Sequence, residues 1–318
     1  MKQIIKKVLG KIGRNLAFSE KESLNSMLLL AGKQLATTHN SYESIKELSS
    51  VEFKVFSQNG EDGIIDWLVS KLPMIPKSFI EFGVENYQES NTRFLLINKY
   101  WKGLVIDGDP ANVQVIRQDS IYWQYNLKAV CSFITKDNIN DIFKEAGFTG
   151  EIGILSIDID GNDYWVWQAI NTVNPAIIIA EYSSVLGDVY PVSIAYEANF
   201  YRHKAHYSGQ YAGASIAALK YLAQEKGYVF IGTNAVGVNA FFVRQDLYPI
   251  VSNAIETITS YPVSSSDTRN EAGELTFIRG RERLELIQNL PVVNVETGET
   301  FSLSALSGVY SQEWLDLM

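Results

Sequence analysis

The apolar positions change period several times along the chain, and that rhythm predicts its layout. Phe79 to Phe82 is a short apolar run that carries one acid, Glu81, and meets Gly83 at once. A polar turn follows, and then the helix-like run Thr92 to Trp101. Strand, glycine turn and helix is how an α/β sheet opens a ligand crevice at the carboxyl ends of its strands. The pattern recurs. Further apolar strands are predicted over Gly103–Asp107, near Tyr122–Ala129, up to Asp158, and through the Ile-rich run that ends at Glu181. Helical periodicity lies between most of them, the signature of a parallel sheet covered by helices. Two late strands, GYVFIGT and VNAFFVR, are separated only by Asn-Ala-Val-Gly. That gap is too short for a parallel crossover, so they form an antiparallel hairpin.

The chain therefore reads as α/β, a Rossmann-like, mostly parallel sheet with one antiparallel strand in a terminal hairpin. Residues 1–50 form an N-terminal helical extension, 51–250 the sheet domain, and 251–318 a C-terminal extension for substrate or oligomer contacts. The first 18 residues place Ile4, Ile5, Val8, Leu9 and Ile12 on one side of a helix and lysines largely on the other. This amphipathic basic helix suits docking or a homodimer, and less so a membrane surface. A second helix follows, with Ser19 and Glu22 as its capping box.

Composition narrows the class. The 318 residues are 46% hydrophobic and 20% charged, ordinary for a soluble enzyme, and the net charge of −9 argues against a nucleic-acid partner. No transmembrane segment and no signal peptide are evident, so a cytoplasmic location is expected. The single cysteine, Cys131, excludes an internal disulfide and a cysteine zinc cluster, and its apolar neighbours predict a core thiol.

Acids recur at the predicted strand ends: Glu81, Asp107, Asp158 and Glu181. The turn after the first strand lacks both glycine-rich pyrophosphate cradles. A rim of carboxylates favours a ligand with cationic and hydroxyl-bearing parts and repels a diphosphate. Asp158 and Asp160, two apart on an extended strand end, aim the same way. With Glu181 they offer oxygen ligands for Mg²⁺ or Mn²⁺, Ca²⁺ being the third such ion. A calcium loop is rejected, because no glutamate stands at its twelfth position. The plainer reading gives Asp160 a turn bond and makes Asp163 a helix cap.

The ordered stretches SQNGEDG, IEFGVENYQESNT, GLVIDGDP, LSIDIDGNDYWVW, IIIAEYSS, GASIAAL and GVNAFFVR together resemble FkbM-type methyltransferases over roughly residues 55–250. The resemblance is greatest to bacterial members that O-methylate sugars of surface polysaccharides or glycosylated metabolites. It implies a class I methyltransferase fold with S-adenosyl-L-methionine as methyl donor. Carried over, Glu81, Gly83 and Asn91 would hold the methionine part and ribose, Asp107 the ribose hydroxyls, and Ala129 and Val130 would flank adenine. Ser90-Asn91 closes the turn where the family pattern has glycine. The acceptor would be a small-molecule sugar, nucleotide-linked or glycosidic. An alcohol needs a base. His206 is the first candidate, His203 the second, and Asp158 or Glu181 could serve instead; His39 is expected at the surface. Aromatic side chains from Tyr182 to Tyr211 suit either a sugar platform or a plain core. Arg279, Arg281 and Arg283 suit either a diphosphate clamp or a solvated face. Two other functions stay open: a nicotinamide-dependent oxidoreductase, and a silent module that keeps the fold without the chemistry.

Overall fold

The computed structural model describes residues 23–263 and 267–318. The basic helix predicted over the first 18 residues, and the capping box at Ser19 and Glu22, lie outside the described residues. In chain order the elements are α1 (23–40), α2 (Glu61–Lys71), β1 (Ser78–Phe82), α3 (Arg93–Lys99), β2 (Lys102–Asp107), α4 (Pro110–Gln118), α5 (Ile121–Gln124), β3 (Leu127–Cys131), α6 (Ile139–Glu145), β4 (Gly150–Ile157), α7 (Asp163–Ala169) and β5 (Val173–Glu181). They continue with β6 (Val192–Ser193), α8 (Arg202–Ala205), α9 (Ile216–Glu225), β7 (Tyr228–Thr233), β8 (Asn239–Arg244), α10 (Tyr248–Ser252), α11 (Glu282–Ile287), β9 (Pro291–Asn294), β10 (Thr300–Ser302) and α12 (Gln312–Leu317).

Seven strands form one sheet in the order β3-β2-β1-β4-β5-β8-β7. The pairs among β1 to β5 are parallel, while β8 runs against both β5 and β7. The predicted hairpin is therefore present, with its returning strand inserted beside β5 and not at the edge. Strands buried on both faces need apolar side chains at consecutive positions. Phe79, Val105, Ile154, Ile177 and Phe241 pack to one side with Ile64, Trp67, Leu96 and Ile116 from α2, α3 and α4. Ile80, Leu104, Leu155, Ile178 and Phe242 pack to the other with Phe143, Trp167 and Leu219 from α6, α7 and α9.

One strand is displaced from its predicted place. Tyr122 and its neighbours form the turn of helix α5, and β3 begins only at Leu127. The aromatic run that looked like strand sequence is a helical corner. Burial alternates along β3, which leaves Cys131 exposed at its end and not in the core. His39 is not a free surface residue either, since its ring lies 5.9 Å from that of Phe53.

The first and last described segments are built into this frame. The α1 helix packs through Gly32 and Ala36 on Phe53, Val55 and Phe94, while Leu24, Met27, Leu30 and Leu35 stay exposed. At the other end Trp314 of α12 is fully buried against Tyr182 and bonds Ser260 Oγ at 3.0 Å. Strands β9 and β10 join β6 in a second, three-stranded sheet. No helix among the described residues is long and apolar enough to cross a membrane.

The SQNGEDG segment clamps the hairpin to α2. Buried Glu61 accepts the side-chain amides of Asn234 at 2.7 Å and Asn239 at 2.8 Å, and Glu52 takes the backbone N–H of Ala235. Beside it, Asp62 Oδ2 collects the N–H groups of Val55, Phe56 and Ser57 at 2.7–2.8 Å. Removing one buried acceptor leaves its donors unpaired at about 1–3 kcal/mol each. Glu61→Ala is expected to cost about 2–4 kcal/mol, read as a lowered urea midpoint with an unchanged slope.

Candidate functional site

Two cavities open at the carboxyl ends of the parallel strands. The first, about 720 Å³, is lined by Gly83 after β1, by Asp107, Gly108 and Asp109 after β2, and by Ser132, Phe133 and Ile134 after β3. Asp158 and Asp160 complete its base, and Phe200 to Lys204 form its far wall. The second, about 380 Å³, is lined by Gln58, Glu181, Ser183, Ser184, Gln210, Asp267 and Arg283, among others. Asp160 and Arg202 belong to both, so the cavities are neighbours that share one wall.

Gly83 fixes how closely the first two turns approach. It has φ +77°, and a Cβ there would lie 1.4 Å from the carbonyl oxygen of Asp158. Only glycine leaves room for the β4 turn to press against the β1 turn. Asp107 lines the first cavity. Its Oδ1 accepts the N–H of Asp109 at 2.8 Å and the amide of Asn112 at 3.1 Å. Its Oδ2 has no partner among the described residues and faces the cavity.

Glu81 and Asn91 do not line the cavity. The carboxylate of Glu81 is buried and turned back on the next turn, accepting the N–H groups of Asn91 and Thr92 and the hydroxyls of Ser90 and Thr92. Asn91 donates instead to Ser156 Oγ at 3.1 Å. These residues shape the turn from beneath. Ala129 and Val130 also fall short, because β3 runs on to Cys131 and the cavity is met by Ser132, Phe133 and Ile134. The late start of β3 accounts for that shift.

The acid cluster differs in one member from its predicted set. Asp158 and Glu181, on the adjacent ends of β4 and β5, place carboxylate oxygens within 4.8 Å of each other and of Asp163. Asp160 stands apart, because its left-handed backbone (φ +57°) turns it outward. There it pairs with Arg202 at 2.9 Å. Asp163 accepts the N–H groups of Ile159 at 2.8 Å and Gly161 at 2.9 Å, so it braces the loop. Desolvation, and repulsion from Asp160 and Asp163, hold the carboxyls of Asp158 and Glu181 well above the ordinary carboxylate range, Asp158 adding to the effect on Glu181. Asp158 faces the first cavity and Glu181 the second.

The histidines exchange places. His203 lines the first cavity, while His206 lines neither cavity and bonds Ser208 Oγ through Nδ1 at 2.8 Å. Partial burial pushes the His206 imidazole below its usual pKa. Of the aromatic stretch, Phe200 and Tyr201 wall the first cavity, and Tyr182 reaches the second. Tyr190 and Tyr211 instead spend their hydroxyls on the backbone oxygens of Ser307 and Pro291. Of the three arginines, Arg279 and Arg281 are exposed and Arg283 is 3% exposed at the second cavity.

The sheet order, with β8 reversed between β5 and β7, defines the class: a doubly wound, mostly parallel α/β sheet of the Rossmann-like type with an antiparallel hairpin. No family model matches the chain, and no curated protein matches it. Among solved structures it is similar to the N-terminal domain of EvdMO1 with S-adenosylhomocysteine bound, at 13% identity and TM-score 0.39, over 67% of this chain and 93% of that one. An O-methyltransferase family protein from Burkholderia thailandensis overlaps at 12% and 0.38, over 58% and 59% of the two chains. An S-adenosylmethionine-dependent methyltransferase from Clostridium acetobutylicum overlaps at 11% and 0.37, over 58% and 90%. Likeness this loose carries no weight for function, and the class rests on the chain's own strand order.

Gly83→Ala tests the close approach of the two turns. A methyl group cannot fit against the Asp158 carbonyl, and the backbone strain adds to the clash. The expected loss is about 3 kcal/mol in urea denaturation, whereas Gly150→Ala, whose added Cβ meets no atom within 4 Å, costs less.

Proposed function

We propose that this chain transfers a methyl group from S-adenosyl-L-methionine to a sugar hydroxyl, as the FkbM-type resemblance implies. One observation carries the reading: two separate cavities meet at a pair of carboxyl groups, Asp158 facing one and Glu181 the other. The first cavity would take the donor. Asp107 offers a free carboxylate oxygen to a ribose diol, a charge-assisted bond of the strong kind. Phe133 and Ile134 supply apolar surface for a base, and the acids around Asp158 favour a cationic sulfonium. A dinucleotide fits less well, since the turn after β1 has no second or third glycine to receive a pyrophosphate.

The second cavity would take the acceptor. Gln58, Ser183, Ser184 and Gln210 give it the mixed donors and acceptors that sugar hydroxyls need. Transfer is direct: the acceptor oxygen bonds the methyl carbon as the carbon–sulfur bond breaks, and the hydroxyl proton passes to the carboxyl pair. Holding donor and acceptor in line across a shared wall supplies much of the acceleration. Asp158 and Glu181 replace His206 as the base in this scheme, and His203 remains a donor-side residue.

A divalent cation is a second reading, favoured by three carboxylates within 4.8 Å. Asp158 and Glu181 fit as oxygen ligands; Asp163, engaged by two N–H groups, fits less well; and Asp160, drawn off by Arg202, does not. A bound Mg²⁺ or Mn²⁺ there supplies Lewis acidity toward acceptor oxygens. Chelation separates the two. If the pair acts as a base alone, activity survives EDTA; complete loss restored by Mg²⁺ assigns the metal.

Calorimetry on the full chain is expected to show binding of S-adenosylmethionine and S-adenosylhomocysteine and none of NAD; the reverse result overturns the reading. Because the carboxyl pKa values are raised, the base form appears only as pH climbs past the ordinary carboxylate value of about 4. The kcat/KM profile should therefore rise along an acid limb lying well above that value. Glu181→Gln should lower kcat about 10²–10⁴-fold and leave donor affinity unchanged.

A further inference from the structure

Arg283 is a buried cation without an anion. It is 3% exposed, and no carboxylate lies within ion-pair distance of it among the described residues. Its Nη2 bonds Ser184 Oγ at 3.1 Å, and its Nε makes a long contact of 3.4 Å to the Gly280 carbonyl. Nη1 has no protein partner among the described residues. The other buried arginine, Arg93, is neutralised by Asp119, and the half-buried Arg202 and Arg244 are neutralised by Asp160 with Asp267 and by Glu151 with Asp246. Asp267 shares the cavity with Arg283 but is taken by Arg202, at 3.0 and 3.2 Å.

A guanidinium cannot shed its proton to escape burial, so an unpaired one is costly unless a ligand completes it. Its fork matches the two oxygens of a phosphate or carboxylate. Desolvation by burial acts against its charge, offset in part by Tyr310 and the more distant Asp267, and an anionic ligand would offset it further. Position matters as much as charge. Ser184, which anchors Arg283, stands three residues after Glu181, so their Cα atoms are at most about 11 Å apart. The cavity holds about 380 Å³, toward the small end for ligand sites. One sugar ring with one charged substituent spans that space.

We propose that the acceptor carries an anionic oxygen group, a phosphate or a carboxylate, which Arg283 grips while the reacting hydroxyl faces Glu181. The proposal rests on the reading of the second cavity as the acceptor site. It makes Arg283 a binding residue that sets substrate class, and gives the charge on the sugar a structural reason.

The test is calorimetry on the full chain with S-adenosylhomocysteine present, using glucose 1-phosphate, glucuronate and glucose as probes. The expected result is that at least one anionic sugar binds about tenfold or more tighter than glucose, and which one does so separates phosphate from carboxylate. Arg283→Gln should bring that ratio close to one and leave S-adenosylhomocysteine binding unchanged, and Arg283→Lys should keep part of it. Failure of the wild-type chain to bind either anion more tightly than glucose overturns the proposal, as does an unchanged ratio in a folded Arg283→Gln. The wild-type comparison decides even if that variant does not fold. Absence of S-adenosylhomocysteine binding would remove the methyl-transfer reading instead, while the same three probes, titrated without it, still decide Arg283.

Discussion

Two half-buried carboxyl groups held side by side between two cavities are the constraint around which the molecule is arranged. Asp158 and Glu181 end adjacent parallel strands, so the sheet itself sets their spacing. Among the described residues neither has a cation in ion-pair contact. Arg202, whose charge acts on Glu181 from a distance, is committed to Asp160 and Asp267. Such a pair is unfavourable as two charges and favourable as a proton or cation acceptor. That is the property the proposed transfer to a hydroxyl requires.

The surrounding structure keeps the pair at a junction and not in a closed core. Gly83 lets the β1 turn press on the Asp158 backbone, which brings the first cavity up to the carboxyls. Asp163 braces the loop between them by taking two N–H groups. The segment after β5 folds back over the site. Asn162 holds the Glu197 carbonyl at 2.8 Å, Trp165 holds that of Ile194 at 2.9 Å, and Phe200 lies on Gly161 where no side chain could fit. The regions outside the central sheet are part of the same construction, since SQNGEDG contributes Gln58 and the C-terminal segment contributes Asp267 and Arg283.

Much of this was legible from the linear order of residues. Apolar runs ending in acids located β1, β2, β4 and β5 to within a residue or so, and the four-residue gap between GYVFIGT and VNAFFVR announced the antiparallel return. Glu81 and Asp107 illustrate the limit. Both are strand-end acids after apolar runs, yet one faces inward to tie a turn and the other faces a cavity. Residue type and spacing are identical signals for those two outcomes. Tyr122 to Tyr125 misled for a related reason, because aromatic residues suit a strand and a surface helical corner equally.

The sequence by itself determined the strand–helix alternation, the hairpin and the gathering of acids at one sheet edge, because periodicity and turn chemistry are local. Only the tertiary structure decided that Asp163 and not Asp160 joins Asp158 and Glu181, that His203 and not His206 reaches a cavity, and that Arg283 is buried while Arg279 and Arg281 are not. Two of those outcomes depend on a partner distant in the chain, Arg202 pulling Asp160 away and Ser184 holding Arg283, whereas His206 is held by its near neighbour Ser208. Local pattern carries no record of which long-range partner will claim a polar side chain first.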